Sequence, residues 1–238
     1  MRLLNQRACA GATGGLGSHE AMSDTFQAMI VDEREGVFTR RIGSRAVGDL
    51  PAGEVLIRVH YSSLNYKDAL SASGNRGVTK RYPHTPGIDA AGVVEASTDP
   101  AVGVGADVLV TGYDLGMNTS GGMAEYIRVP AAWVVPCPAG MSLRDAMAFG
   151  SAGFTAALMV DELRAGGLEP GGGPVLVTGA TGGVGCVAVA LLAHLGYEAV
   201  ACTGKAEFAE RLVAAGARRV ISRAELLERA DRMLLSAR

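Results

Sequence analysis

The sequence predicts an α/β protein: a β-rich N-terminal region that closes into a partial barrel, then a nucleotide-binding unit with a parallel sheet. Three observations carry this. Short runs rich in Val and Ile, punctuated by Gly, Pro and Asp, fill residues 27–138. A helical pattern occupies 142–163. A strand, a glycine-rich loop, a helix and a second strand then follow between 174 and 202.

In chain order, residues 1–21 show no periodicity and precede a second methionine, Met22. They are expected to form a disordered extension. They contain GATGGLG at 11–17, but NQRACA before it and SHEAMSD after it read as neither strand nor helix. The strands expected next are QAMIVDE, EVLIRVHYSSLN, AAGVVEAS, DVLVTGY, MAEYIRVP and WVVPCP. SLRDAMAFGSAGFTAALMVDEL has helical spacing with Ser142 as N-cap, and would bridge the two regions. PVLVT (174–178) reads as a buried parallel strand, GVGCVAVALLAHLGY as a helix ending at Gly196, and EAVAC (198–202) as the next strand. RRVIS (218–222) supplies a third strand, and AELLERADRMLLSAR an amphipathic helix.

This frame decides between the two glycine runs. A phosphate loop needs a strand to deliver the chain to a tight turn and a helix to leave it with free N–H groups aimed at the anion. GATGGVG at 179–185 has both, with Gly179, Gly182 and Gly185 in G-x-x-G-x-x-G spacing; the copy at 11–17 has neither. Thr181, Gly182, Gly183 and Val184 are therefore the expected phosphate-contacting residues. The tip of the second strand reads the adenosine ribose, where an acid favours NAD. Here the tip is Thr203-Gly204-Lys205, a hydroxyl, a close backbone N–H and a cation, which suits a 2′-phosphate and hence NADPH. Glu207 lies further on, in the expected first turn of the next helix, where it complements the helix dipole.

Composition narrows the classes. With 48% hydrophobic residues over 238 positions there is material for a core. A net charge of −2 argues against nucleic-acid and anionic-membrane partners. No apolar run reaches the ~20 residues of a membrane span. Cys9, Cys137, Cys186 and Cys202 form no CxxC pair and no metal-ligand spacing, which fits a reducing cytoplasm.

SSLNYKDAL (62–70), PGIDAAGVV (86–94), GGMAEYIRVP (121–130), AFGSAGFTAAL (148–158) and VLVTGATGGVG (175–185) occur in this order. Together they resemble the medium-chain dehydrogenase/reductase superfamily, and within it the zinc-free quinone oxidoreductase and acrylyl-CoA reductase family, over about residues 27–222. The resemblance implies a GroES-like barrel (22–145) and a partial Rossmann domain with parallel sheet (146–238). TGATGGVG also fits the loop of short-chain dehydrogenases, but in that family the loop opens the chain. Zinc relatives carry a cysteine where this chain has LNYKD, and Gly-His-Glu where it has Gly87-Ile88-Asp89. Isoleucine cannot ligate, so no metal is expected. His84 is expected in a loop or core, His60 and His194 in structural roles, Asp89 as a buried residue that orients backbone, and Lys67 with Asp68 as a solvated or structural pair.

Without a Lewis acid, hydride addition to an activated double bond remains feasible. The resemblance implies an α,β-unsaturated acyl thioester or a quinone as substrate. It places Tyr66 at the nicotinamide end of the cofactor, as a catalytic hydrogen-bond donor beside Asn65. A homodimer is compatible with this reading. A six-stranded Rossmann sheet needs two halves, and after residue 222 only one amphipathic helix follows. The chain is therefore expected to behave as a truncated member, unstable or associated, and nearly inactive alone. A non-catalytic fragment of such an enzyme and a nucleotide-binding protein of another class stay open as alternatives.

Overall fold

A computed structural model of the chain describes residues 24–228. The glycine run at 11–17, and the expected disorder of 1–21, fall outside these residues.

β1 (Thr25–Arg34) and β2 (Val37–Ala46) form an antiparallel hairpin. Its two-residue turn, Glu35-Gly36, has φ of 52° and 80°, the mirror-image turn that matches strand twist. β2 was not among the expected strands. Its burial pattern is mostly exposed and Arg40, Arg41 and Arg45 interrupt it, so it lacks an apolar period. Backbone bridges from Ala28 to Ala124 and from Val31 to His84 fasten the hairpin to the main sheet.

That sheet has five antiparallel strands in the order β6-β3-β4-β5-β7. They are β3 (Val55–Tyr61), β4 (Asp89–Ser97), β5 (Asp107–Thr111), β6 (Tyr126–Val129) and β7 (Val135–Pro136). Alternate residues point inward: Val55 and Ile57, Val108 and Val110, Ile127 and Val129 are almost fully buried in one cluster. Each such side chain contributes about 1.5–3 kcal/mol of transfer free energy. β3 ends at Tyr61, four residues short of the expected strand. The chain turns instead into a short helix, α1 (Tyr66–Ala72).

α2 (Leu143–Ala165) starts at Ser142, whose Oγ accepts from the Asp145 N–H at 3.1 Å, as the cap residue predicts. Gly150 breaks its helical geometry with φ 49° and ψ −153°, a kink the periodicity did not reveal. Beyond α2 lies a three-stranded parallel sheet ordered β10-β9-β8. β8 is Val175–Thr178, β9 Ala199–Thr203 and β10 Arg219–Ser222. α3 (Gly183–His194) connects β8 to β9, and α4 (Ala209–Ala214) precedes β10. β9 is buried throughout, packed with Val160 of α2, Val189 and Leu192 of α3, and Leu212 of α4. β8 corrects the expectation of a buried core strand. It is an edge strand among the described residues, and Leu176 is 45% exposed.

Candidate nucleotide and active site

The loop 179–185 follows from its glycines. Gly179 sits at φ 61°, which only glycine adopts at little cost, and the Gly182 N–H donates to its carbonyl at 2.8 Å. Gly185 is the close-packing glycine: a β-carbon there would lie 2.4 Å from the Gly179 carbonyl oxygen and 2.7 Å from the Ala180 Cα. Gly182 caps α3 with backbone alone, and no side chain satisfies the first-turn N–H groups. The helix thus presents donors and its positive dipole end at the loop. These features are what a pyrophosphate cradle requires, and the loop fits a dinucleotide.

The structure places Thr203 at the end of β9 and Gly204 and Lys205 just beyond it. Thr203 is buried, its Oγ1 lies 3.2 Å from that of Thr181, and it accepts the Lys205 N–H at 3.0 Å. Its hydroxyl therefore joins the strand tip to the glycine loop. Gly204 and Lys205 are exposed. The Lys205 ammonium leans over the Phe208 ring, 5.7 Å from its centroid. Glu207 falls in a 3-10 turn, Ala206–Phe208, just ahead of α4.

The second part of the site forms at one end of the five-stranded sheet. Register places Tyr61 opposite Ala91 and Asp89 opposite Thr111, so β3 ends, β4 starts and β5 ends together. Asp89 is fully buried there. Its Oδ2 accepts from Ser63 Oγ, from Asn65 Nδ2 at 2.8 Å and from the Ser151 N–H at 2.9 Å, and its Oδ1 accepts from Ser151 Oγ at 2.7 Å. One carboxylate thus holds the segment before α1 and caps the half of α2 that begins after Gly150. A β-carbon on Gly150 would fall 2.7 Å from both Asp89 Oδ2 and Ser63 Oγ. The role expected for Asp89, orienting backbone, matches this geometry.

Asn65 is the N-cap residue of α1, and its amide donates to Ser63 Oγ at 3.0 Å as well as to Asp89. Tyr66 opens α1 and is 80% exposed, so its ring stands clear of the fold. Asp68 corrects the expected pair with Lys67. It is buried and accepts the N–H of Asn65 at 2.7 Å and of Ile88 at 2.9 Å, while Lys67 is exposed; neighbours on a helix do not face one another. Burial pushes the Asp68 carboxyl above the usual aspartate range, against those two N–H donors and with a smaller push from Asp89. The Asn-x-x-Asp spacing at 65–68 was the signal that a helix, and not a longer strand, begins here.

His84 is buried, and its Nε2 lies 2.9 Å from the Gly116 carbonyl. It is a core residue, as expected. His60 lies on β3 and His194 ends α3. Among the described residues, no three His, Cys, Asp or Glu side chains gather as a metal site would need, and no helix is long and apolar enough to cross a membrane.

Residues 51–139 match the alcohol dehydrogenase GroES-like domain family. The chain is 47% identical over 213 residues to the acrylyl-CoA reductase AcuI of Ruegeria pomeroyi, covering 89% of this chain and 64% of that protein. It is 45% identical to the putative quinone oxidoreductase YhfP of Bacillus subtilis, covering 87% and 63%. Among solved structures, the yhdH oxidoreductase of Salmonella enterica in complex with NADP superposes with a TM-score of 0.82 at 47% identity, over 84% of this chain and 61% of that one. The B. subtilis yhfP protein with NAD bound gives 0.83 at 46% identity, over 85% and 62%. The chain therefore spans a little under two thirds of the length of these relatives. Ordered motifs, identity and superposable fold together make it a member of the medium-chain dehydrogenase/reductase superfamily, similar along the described length to acrylyl-CoA reductases and quinone oxidoreductases.

Proposed function

We propose that the chain belongs to an NADPH-dependent, zinc-independent oxidoreductase acting on the activated double bond of an α,β-unsaturated acyl thioester, acrylyl-CoA-like, or on a quinone. The observation that carries this is the glycine loop: an uncapped α3 N-terminus, a left-handed Gly179, and a Gly185 that admits no side chain. Relatives with this fold carry the names acrylyl-CoA reductase and quinone oxidoreductase, and neighbours were solved with NADP, NADPH and NAD.

In this reading Thr181, Gly182, Gly183 and Val184 hold the pyrophosphate, and the Thr203-Gly204-Lys205 tip meets the adenosine ribose. When bound, NADPH supplies the hydride. Tyr66 presents a phenol at the nicotinamide end, and its O–H donates to the substrate carbonyl oxygen as charge develops there. Asn65 has its amide hydrogens engaged by Asp89 and Ser63, so it positions Tyr66 and does not itself donate to substrate. Isoleucine at 88 and the absence of a thiolate in LNYKD leave the oxyanion to hydrogen-bond donors.

Calorimetric titration of the chain with NADPH, NADH and ATP tests the reading. NADPH should bind tightest and ATP weakest. Binding of ATP in preference to both dinucleotides would favour a nucleotide-binding protein of another class, and binding of none would favour a non-catalytic fragment.

A further inference from the structure

Tyr66 is exposed, and among the described residues its phenol makes no hydrogen bond. The place of its ring is therefore set through the backbone on either side of it. On the N-terminal side the ties run to Asp89. Ser62 Oγ donates to the Asp89 carbonyl at 2.8 Å, and Ser63 and Asn65 donate to its carboxylate. On the C-terminal side they run to Asp68, which is 2% exposed. Its Oδ2 accepts the Asn65 N–H at 2.7 Å and so closes the first turn of α1 around Tyr66. Its Oδ1 accepts the Ile88 N–H at 2.9 Å, at the entry to β4. Both oxygens are in use, one on the helix and one on the sheet. The charged group that faces Asp68 is Asp89 of β4, while Lys67 on its own helix is exposed.

We infer that ionised Asp68 is a positioning residue for Tyr66: it clamps the first turn of α1 to the start of β4 and so fixes where the phenol stands. Its importance for the reaction rests on the reading of Tyr66 as the donor to the substrate carbonyl oxygen. The reason is a count of acceptors. A carboxylate accepts on both oxygens, whereas a protonated carboxyl or a carboxamide donates from one of its two ends. Set against two N–H donors, the neutral group keeps one tie and turns a donor toward the other. The turn that carries Tyr66 then loses its hold on either the helix or the sheet. Burial disfavours the charged carboxylate, and the two N–H donors favour it. Burial is the larger effect, so the clamp loosens on acidification at a pH above the usual aspartate range. Asp68 touches neither substrate nor cofactor in this account and acts through Tyr66 alone.

The test follows the chain by NMR from about pH 3 to pH 8, a range that brackets carboxylate titration and stays below that of a phenol. Backbone amides and ring-labelled tyrosines are observed together. The chain has six tyrosines, so the Tyr66 ring signal is assigned by its loss in Tyr66→Phe. In the parent chain the Asn65 and Ile88 amides and the Tyr66 ring should shift with one common midpoint, above the usual aspartate range. Asp68→Asn keeps the shape of the side chain and removes the charge. It should abolish that midpoint in all three signals and hold the Tyr66 ring at its acid-side position throughout, with the amide pattern of the rest of the chain as the folding control. A Tyr66 ring that ignores the titration seen at Asn65 and Ile88 would overturn the inference and leave Asp68 a purely structural cap. So would a Tyr66 midpoint that survives Asp68→Asn, which would assign the effect to Asp89. Adding NADPH tests the underlying reading separately: a shift of the Tyr66 ring supports its place at the nicotinamide end. Shifts confined to the amides of 180–186 would remove that reading, while the pH titration still decides whether Asp68 positions Tyr66.

Discussion

Asp89 gathers donors from two parts of the chain onto one buried carboxylate: Ser63 and Asn65 before α1, and Ser151 in α2. Asp89→Ala would leave the Ser151 N–H, two hydroxyls and an amide without their acceptor. Buried unsatisfied groups cost about 1–3 kcal/mol each, partly relieved by relaxation, so a loss of at least about 3 kcal/mol is expected in urea unfolding. A loss under about 1 kcal/mol would show that Asp89 is not the pin between α1 and α2. His84 gives a pH prediction. Burial lowers its pKa below the ordinary 6.5, chiefly by desolvation, against the Gly116 carbonyl. The folded state then binds fewer protons than the unfolded state just below pH 6.5. Stability should be fully present above that value and fall as the pH drops toward the folded-state pKa. His84→Gln keeps a donor for Gly116 and should flatten this slope; an unchanged slope would assign the titration elsewhere.

At the scale of elements, α2 is two helical segments joined at Gly150, and the second segment takes its cap from β4. Gly150→Ala adds a β-carbon at φ 49° within 2.7 Å of Asp89 Oδ2. It should destabilise the chain by about 2 kcal/mol or more, by strain and by displacing the carboxylate. A neutral result in thermal unfolding would mean the kink is incidental. Elements whose cause is local were legible in the sequence. The glycine loop, the Ser142 cap and the three strands near 175–178, 198–202 and 219–222 all rest on residues adjacent in the chain. Elements whose cause is distant were not. The α2 kink exists because Asp89, far upstream, caps the second segment; β2 pairs with β1 across a tight turn, but its arginines and exposed faces leave no apolar period to read. The helix at 66–72 was legible in principle through Asn65 and Asp68, but the apolar run of β3 masked it.

The molecule as a whole has two sites of order that α2 joins: the end of the antiparallel sheet with Tyr66, and the glycine loop with the β9 tip. The same asymmetry leaves a cost. Within the described residues β8 has a neighbour on one side only, and near it in sequence Phe154 and Leu158 of α2 are 59% and 50% exposed. An unpaired strand edge and exposed apolar side chains each favour association. Strand register also makes neighbours of residues far apart in the chain: Arg223, just past β10, lies beside Gly204, just past β9. The run at 179–185, and not its copy at 11–17, is the proposed nucleotide loop. Backbone hydrogen exchange with and without NADPH tests it most directly. Slowed exchange is expected at the amides of 180–186 and 203–205 alone, with no change across 11–17. Slowed exchange across 11–17, with 180–186 unaffected, would contradict it.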